Sequence, residues 1–408
     1  MLRRTVLAYG ALGLPLAFAA LPIYVHLPRY YAETTGIELA MLGLILLGAR
    51  LFDALIDPLL GWLADRWPRR RMLFFALWPF ALGFVALFNP PATFAGLWLV
   101  CSLAITYLGF SAASVAYQAW GAAAGSDSLT RTRLVASREG FALLGVVLAA
   151  VLPGLLASDL SLGTERLSWV LPPLLLLAAT ATFSQLSSGI VPLPVTPMPL
   201  LQSLRHALND IAFRRLLTIF VANGIAAALP ATLFLFFVAD VLGAASAVGA
   251  LLAAYFIAGA ASLPLWVRLS ARLGRIRAWG LAMLLAMLAF TGAGSLGHGD
   301  VAGFALICLA SGLALGADLA LPAALAADLG ERNGQAGTYF GAWNLAAKLN
   351  LALAAGLALP LLDAMGYQPG GTEGLGALTF AYALLPLAFK LLAAALLWRW
   401  RNSLEIRP

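Results

Sequence analysis

Arg50, Asp53 and Asp57 stand inside an apolar run, LAMLGLILLGARLFDALIDPLLGWL, that extends from Leu39 to Leu63. Counted from Arg50, the aspartates fall at i+3 and i+7, so all three project from one face of a helix. A charge at the centre of a bilayer costs roughly 2.5–3.5 kcal/mol on insertion scales. Such charges persist where they face a bundle interior or a water-filled path, and there they mark an ion or substrate route. Two carboxylates one turn apart can share a proton or ligate a small cation through oxygen. The purely structural alternative is a buried Arg–Asp pair that locks two helices together. Asp318 and Lys348 raise the same question in two further apolar runs, because neither can stay unpaired in hydrocarbon. Either Lys348 approaches Asp53 and Asp57, or it pairs with Asp318 as glue, and the residues alone leave both open. Lys390, near the end of the last run, is expected to snorkel to the surface.

These residues need long membrane helices to hold them, and the composition supplies such helices. Hydrophobic residues make up 62% of the 408-residue chain and charged residues 11%, where a soluble domain carries about 25% charged residues. Apolar runs of membrane-spanning length recur throughout, so an all-α integral membrane protein is expected. The net charge of +7 comes from arginines dispersed over short loops, which is an orientation signal and not a nucleic-acid footprint. Cys101 and Cys308 lie in separate apolar runs and read as small core residues. His26, His206 and His298 are scattered, and no Gly-rich phosphate loop, HExxH, CxxC or Gly-x-Ser-x-Gly occurs, so no enzyme and no cofactor are expected. The first apolar run is too long for a signal peptide and reads as a retained membrane helix.

Apolar runs and polar breaks predict about twelve spans, near 3–28, 37–64, 70–89, 93–124, 133–157, 167–190, 214–240, 246–272, 276–297, 301–329, 334–363 and 374–400. They form an N-terminal six-helix bundle (1–190), a linker (191–213) and a C-terminal six-helix bundle (214–408). The linker is Pro-rich at first, then amphipathic and basic, as an interfacial helix would be. Arginines concentrate on alternate loops: Arg66, Arg69, Arg70 and Arg71 after the second span, Arg131, Arg133 and Arg138 after the fourth, and Arg268, Arg272, Arg275 and Arg277 after the eighth. The positive-inside rule then places both termini in the cytoplasm. Pro58, Arg66, Arg69 and Arg71 recur 206 positions later as Pro264, Arg272, Arg275 and Arg277. Such a parallel repeat implies two bundles with a substrate cavity between them near mid-membrane. Asp53, Asp57 and Asp65 have no such counterparts, since Gly259, Leu263 and Ala271 stand there.

Gly61-Trp62-Leu63-Ala64-Asp65-Arg66, followed by Arg69-Arg70-Arg71, resembles the loop motif of the major facilitator superfamily. The stretch from Ala49 to Pro58 resembles the second helix of its melibiose-permease-like group, the glycoside–pentoside–hexuronide:cation symporters. Tyr9-Gly10, the loop residues Asp127, Arg131, Thr132, Arg133 and Arg138, and Lys348 followed by Gly366-Tyr367 extend the resemblance over nearly the full length.

The resemblance implies the major facilitator fold and cation-coupled transport of a small organic solute, such as a sugar or glycoside, by alternating access. It implies that Asp53 and Asp57 hold the coupling ion, H+ or Na+, with Lys348 and Arg50 contributing; a sodium ion would make the aspartates metal ligands. It also implies that Asp65, Arg66 and the repeat-related Arg272 gate the cytoplasmic side. Ala17 and Ala116 stand where the family has sugar-binding carboxylates, and Ala113 where it has a hydroxyl, which speaks against galactosides and leaves a proton plausible as the ion. Tyr9, Gln118, Trp120, Trp343 and Asn344 are the expected cavity residues, with Tyr24 and Tyr107 as further aromatics. The expected partners are the solute, the cation and the lipid bilayer, with no nucleic acid, for a monomer in the cytoplasmic (inner) membrane if the source is bacterial. A facilitator-type exporter of an amphipathic compound or lipid is the alternative. A non-transporting receptor or scaffold would not need the acidic pair.

Overall fold

The computed structural model describes residues 2–91, 93–185, 198–371 and 373–404. The described residues are almost all helical. Among the described residues, eleven helices are long and apolar enough to cross a membrane: Arg3–Thr34, Arg69–Leu87, Ala95–Ala124, Ser128–Leu156, Ser161–Gln185, Ile211–Val241, Ala245–Leu273, Arg275–Ala293, Val301–Arg332, Ala336–Ala364 and Leu375–Leu404. The charged helix Leu39–Ala64, with 26 residues, joins them as the second in chain order. The protein is therefore an integral membrane protein. The twelve are referred to below by ordinal, first to twelfth.

Local chemistry sets the boundaries. Asp127 caps the fifth helix by accepting from Thr130 N at 2.9 Å, and Asp210 caps the seventh by accepting from Ala212 N at 2.9 Å. Gly274 alone separates the eighth helix from the ninth; its φ of +84° is a value that side-chain-bearing residues rarely adopt. The first helix runs on past the expected end near residue 28, absorbing Pro22 and Pro28 through a π-helical turn, Pro22–His26. The seventh carries a π-helical turn at Phe237–Val241. Residues 186–197, which take in the end of the expected sixth span and the start of the linker, lie outside the described residues. A helix at Leu200–Asn209 follows, and the seventh helix starts at Ile211, earlier than the predicted 214.

The chain divides into two compact units: Met1–Ala207 with Ala326–Leu345, and Leu208–Leu325 with Ala346–Pro408. In the first, the third and fourth helices pack backbone to backbone. A methyl on Gly83 would meet Thr106 Oγ1 at 2.5 Å, and one on Gly109 would meet Phe80 N at 2.4 Å. The second helix turns Leu44, Leu47, Leu51 and Leu55 outward while Asp53 and Asp57 are buried, which inverts the soluble pattern as a lipid solvent requires. The second unit centres on Phe237, whose ring stacks on Tyr382 at 4.1 Å and packs on Phe304. The repeat is visible in the bonding of each unit. Arg69 donates to the Ala119 carbonyl at 2.9 Å, and Arg275 donates to the Ala324 carbonyl at 3.2 Å.

Candidate functional site

Asp53 and Asp57 lie one turn apart on the buried face of the second helix, 2% and 0% exposed. Ser111 of the fourth helix donates its hydroxyl to Asp53 Oδ1 at 2.8 Å. Arg50, one turn earlier, is exposed, and its guanidinium lies 4.8 Å from the ring centre of Tyr24 in the π-helical turn of the first helix. Among the described residues no group of three His, Cys, Asp or Glu side chains is placed to hold a metal ion. A cation here would therefore draw on the two carboxylates plus hydroxyl or carbonyl oxygens, a set suited to a proton or a hard monovalent ion.

The eleventh helix crosses the second directly beside these residues. A methyl on Gly341 would sit 2.5 Å from the Asp57 carbonyl oxygen, and one on Gly61 would sit 2.3 Å from the Gly337 carbonyl oxygen. Only glycine permits this approach. Just past the crossing, Asp65 meets the N-terminus of the eleventh helix. Its Oδ1 accepts from Gly337 N at 2.6 Å, and its Oδ2 accepts from Thr338 N and Thr338 Oγ1, each at 2.7 Å. A carboxylate there satisfies otherwise orphaned N–H groups and complements the helix dipole. Around it Arg69 bonds Glu331 at 2.6 Å and lies 3.8 Å from Asp65. Asp328 receives Arg131 at 2.9 Å and Ser128 at 2.7 Å. The sequence reading did not single out Asp328, Glu331 or Thr338. Their only signal was a pair of acids closing an apolar helix, AALAADLGER, in a chain whose loops are rich in arginine.

Arg66 has a different partner. It stacks on the Trp62 ring at 3.8 Å and donates to the Met198 carbonyl, which also accepts from Trp62 Nε1 at 2.9 Å. It thus fastens the descending linker to the second helix. The repeat-related Arg272 is exposed.

The expected cavity residues divide into packed and unsatisfied groups. Tyr9 is 1% exposed, and Tyr9 and Tyr117 each donate a hydroxyl to the other's carbonyl with rings 4.5 Å apart. Trp120 is buried and stacks on Phe183. Trp343 is buried and Asn344 half-buried on the eleventh helix, within the first unit. Gln118 is half-buried with a buried Oε1 that accepts no hydrogen bond among the described residues. Arg138 adds a second unsatisfied group. It is buried, donates Nε to Glu139 at 2.9 Å, packs its backbone against Gly13 of the first helix, and has an Nη1 with no partner among the described residues.

In the second unit Asp318 is paired with Lys390 at 2.5 Å and accepts from Trp279 Nε1 at 2.8 Å. Lys390 is 5% exposed, so the expected snorkelling does not occur: a half-buried acid on the tenth helix holds the ammonium inside. Lys348 is half-buried on the eleventh helix, seven residues and two turns beyond Gly341.

A family model described as MFS/sugar transport protein matches residues 6–402. The uncharacterized symporter YnaJ of Bacillus subtilis (strain 168) is 30% identical over 182 residues, a stretch that covers 42% of this chain and 39% of that relative. The alignment thus spans well under two thirds of the relative's length. A bacterial homologue of the iron transporter ferroportin, solved in the outward-facing state, superposes with a TM-score of 0.74 at 17% identity, covering 98% of this chain and 99% of that one. FucP, a major facilitator superfamily transporter solved in the outward conformation, gives a TM-score of 0.70 at 16% identity over 95% of this chain and 98% of that one. At these identities the likeness is one of fold.

Proposed function

Because this chain belongs to the MFS/sugar transport protein family, we propose that it moves a small organic solute together with a cation, in symport, by alternating access. It is a transporter of the major facilitator fold and not an enzyme. The observation that carries the coupled reading is the buried pair Asp53 and Asp57 with Ser111 on Asp53. A proton on one carboxylate, or a sodium ion between them, neutralises charge that is costly to carry through apolar surroundings. Loading and unloading that cation is then linked to movement of the helix that bears it. Arg50 and Lys348 are proposed as the cationic groups that tune the pair. The Asp65 contact on the eleventh helix, flanked by Arg69–Glu331 and Arg131–Asp328, is proposed as the cytoplasmic latch, with Arg66 one residue on and Arg272 as its repeat-related counterpart in the second unit.

The proposed solute contacts are Gln118, Trp343 and Asn344, joined by Arg138 and set on the packed floor of Tyr9 and Trp120. An unpaired amide oxygen and an unpaired guanidinium N–H suit a hydroxylated molecule such as a sugar or glycoside. YnaJ is named a symporter, which supports the coupled direction. The second reading, export of an amphipathic compound, draws on Ala113 and Ala116, which are apolar and fully buried where the resembled family carries polar side chains. The monomer is proposed as the transporting unit, in the cytoplasmic membrane with both termini inside.

The test uses proteoliposomes with imposed proton or sodium gradients and a panel of labelled sugars and organic acids. Wild type concentrates one solute class under one gradient. Asp53→Asn and Asp57→Asn lose concentrative uptake yet keep solute exchange. Undiminished accumulation by both variants would falsify the cation assignment.

A further inference from the structure

We propose that the groove between the third and sixth helices is a binding site for one anionic phospholipid of the arginine-rich leaflet. The groove encloses ≈ 1240 Å³, more than the ~300–1,000 Å³ of ordinary small-molecule pockets. Its walls are apolar: Phe75 and Trp78 from the third helix, Pro172 and Leu176 from the sixth. Phe75, Trp78 and Leu176 are each more than half exposed, so these walls are open to the surroundings and not packed as core. The sequence makes the space. Pro172 and Pro173 stand together in the sixth helix, and Ala81 and Ala179 leave the two helices short of side-chain bulk.

Charge sits at one end only. Arg70 and Arg71 line the groove where the third helix begins, and no acidic residue lines it among the described residues. Arg70 is oriented by donating to the Phe183 carbonyl at 3.3 Å, with its guanidinium over the Phe183 ring. Arg71 is exposed. A basic rim at the membrane surface above an apolar slot matches a lipid phosphate above its acyl chains, and basic pockets between membrane helices take anionic headgroups. The anionic class follows from the composition of the rim, two arginines and no acid among the described residues that line the groove, since a zwitterionic headgroup would bring its own cation against them. Only lipid, and not free phosphate, accounts for the apolar length of the groove.

The experiment uses the purified full chain, delipidated in a neutral detergent and titrated with phosphatidylglycerol, phosphatidylcholine or inorganic phosphate, with bound lipid counted by native mass spectrometry. One tightly held phosphatidylglycerol is expected, preferred over phosphatidylcholine by roughly five-fold per arginine and not displaced by inorganic phosphate. Arg71→Gln reduces the preference and Arg70→Gln/Arg71→Gln abolishes it. Arg70→Lys/Arg71→Lys retains it in part, which separates loss of charge from loss of fold. Ala179→Phe fills the slot and removes lipid retention with the arginines intact. Equal retention of the two lipids by wild type, or unchanged retention in Ala179→Phe, overturns the site. Displacement by inorganic phosphate overturns the lipid as its occupant.

Discussion

Asp65→Asn keeps the shape of the side chain that meets the eleventh helix and removes its charge. The wild-type carboxylate accepts three hydrogen bonds, from Gly337 N, Thr338 N and Thr338 Oγ1. An asparagine offers one oxygen and one NH₂ group. Whichever way the amide turns, its nitrogen faces a backbone N–H, so at least one helix-terminal donor loses its acceptor. That loss costs about 1–3 kcal/mol. Removing the anion from the helix N-terminus costs about 0.3–2 kcal/mol more. Against this, Asp65 is only 6% exposed, so the neutral amide avoids part of the desolvation that a buried carboxylate bears. The net weakening of the contact is about 2 kcal/mol, or about 30-fold in the opening equilibrium. Ala64 and Ala336 are fully buried beside the contact. Ala64→Cys, in a background with Cys101 and Cys308 replaced, should react with a hydrophilic maleimide about 30-fold faster when Asp65→Asn is added. A rate within two-fold of the Asp65 parent, as ~RT-sized noise would give, refutes the latch and leaves the arginine cluster as an orientation signal.

Three further outcomes are expected. Ser111→Ala deletes a hydroxyl donor to the Asp53 carboxylate and should weaken concentrative uptake several-fold, since a hydrogen bond to a charged group contributes about 1.5–3 kcal/mol; unchanged accumulation would show that Ser111 does not support the site. Lys390→Met leaves the half-buried Asp318 carboxylate without its ammonium and should cost up to about 3 kcal/mol, whereas Lys390→Met with Asp318→Leu should recover most of that stability; thermal melts of the single and double variants decide it. Asp127 is held down at about 2 by the backbone hydrogen bond from Thr130 and then by the Thr130 hydroxyl. A depressed carboxylate stabilises the fold above its ordinary value, ~3.9, and the benefit disappears as pH falls through about 2. Asp127→Ala should therefore lower the melting temperature at neutral pH, the cap being worth about 0.5–2 kcal/mol, and the gap from wild type should narrow in acid.

The helices were legible because a bilayer imposes one solution on any long apolar run, and the repeat was legible because Arg69 and Arg275 keep the same place after 206 residues. Asp53 and Asp57 stood out for the opposite reason, as a local breach of the same rule. What escaped were partnerships between residues far apart in sequence. Nothing periodic joins Asp65 to Thr338, Asp328 to Arg131, or Asp318 to Lys390. Lys390 shows the limit well. From sequence it sits near the end of the last run and can reach water, but a half-buried acid on another helix offers a nearer partner. Arg66 was read with its repeat mate, yet the two differ: Arg66 holds the Met198 carbonyl of the linker, and Arg272 is exposed.

The glycine crossing of the second and eleventh helices has a mechanical corollary. Gly61, Gly337 and Gly341 bring two backbones into direct contact where no side chain of their own stands between them. Parting such surfaces uncovers little hydrocarbon, so the separation carries a small heat-capacity change and responds only gently to temperature. Resistance to parting is instead concentrated in the few polar bonds at the rim. A joint of this kind behaves like a magnetic clasp, firm when its charges are aligned and free once they are not. Its opening can then be set by ionic events at the rim, without unpacking the bundle.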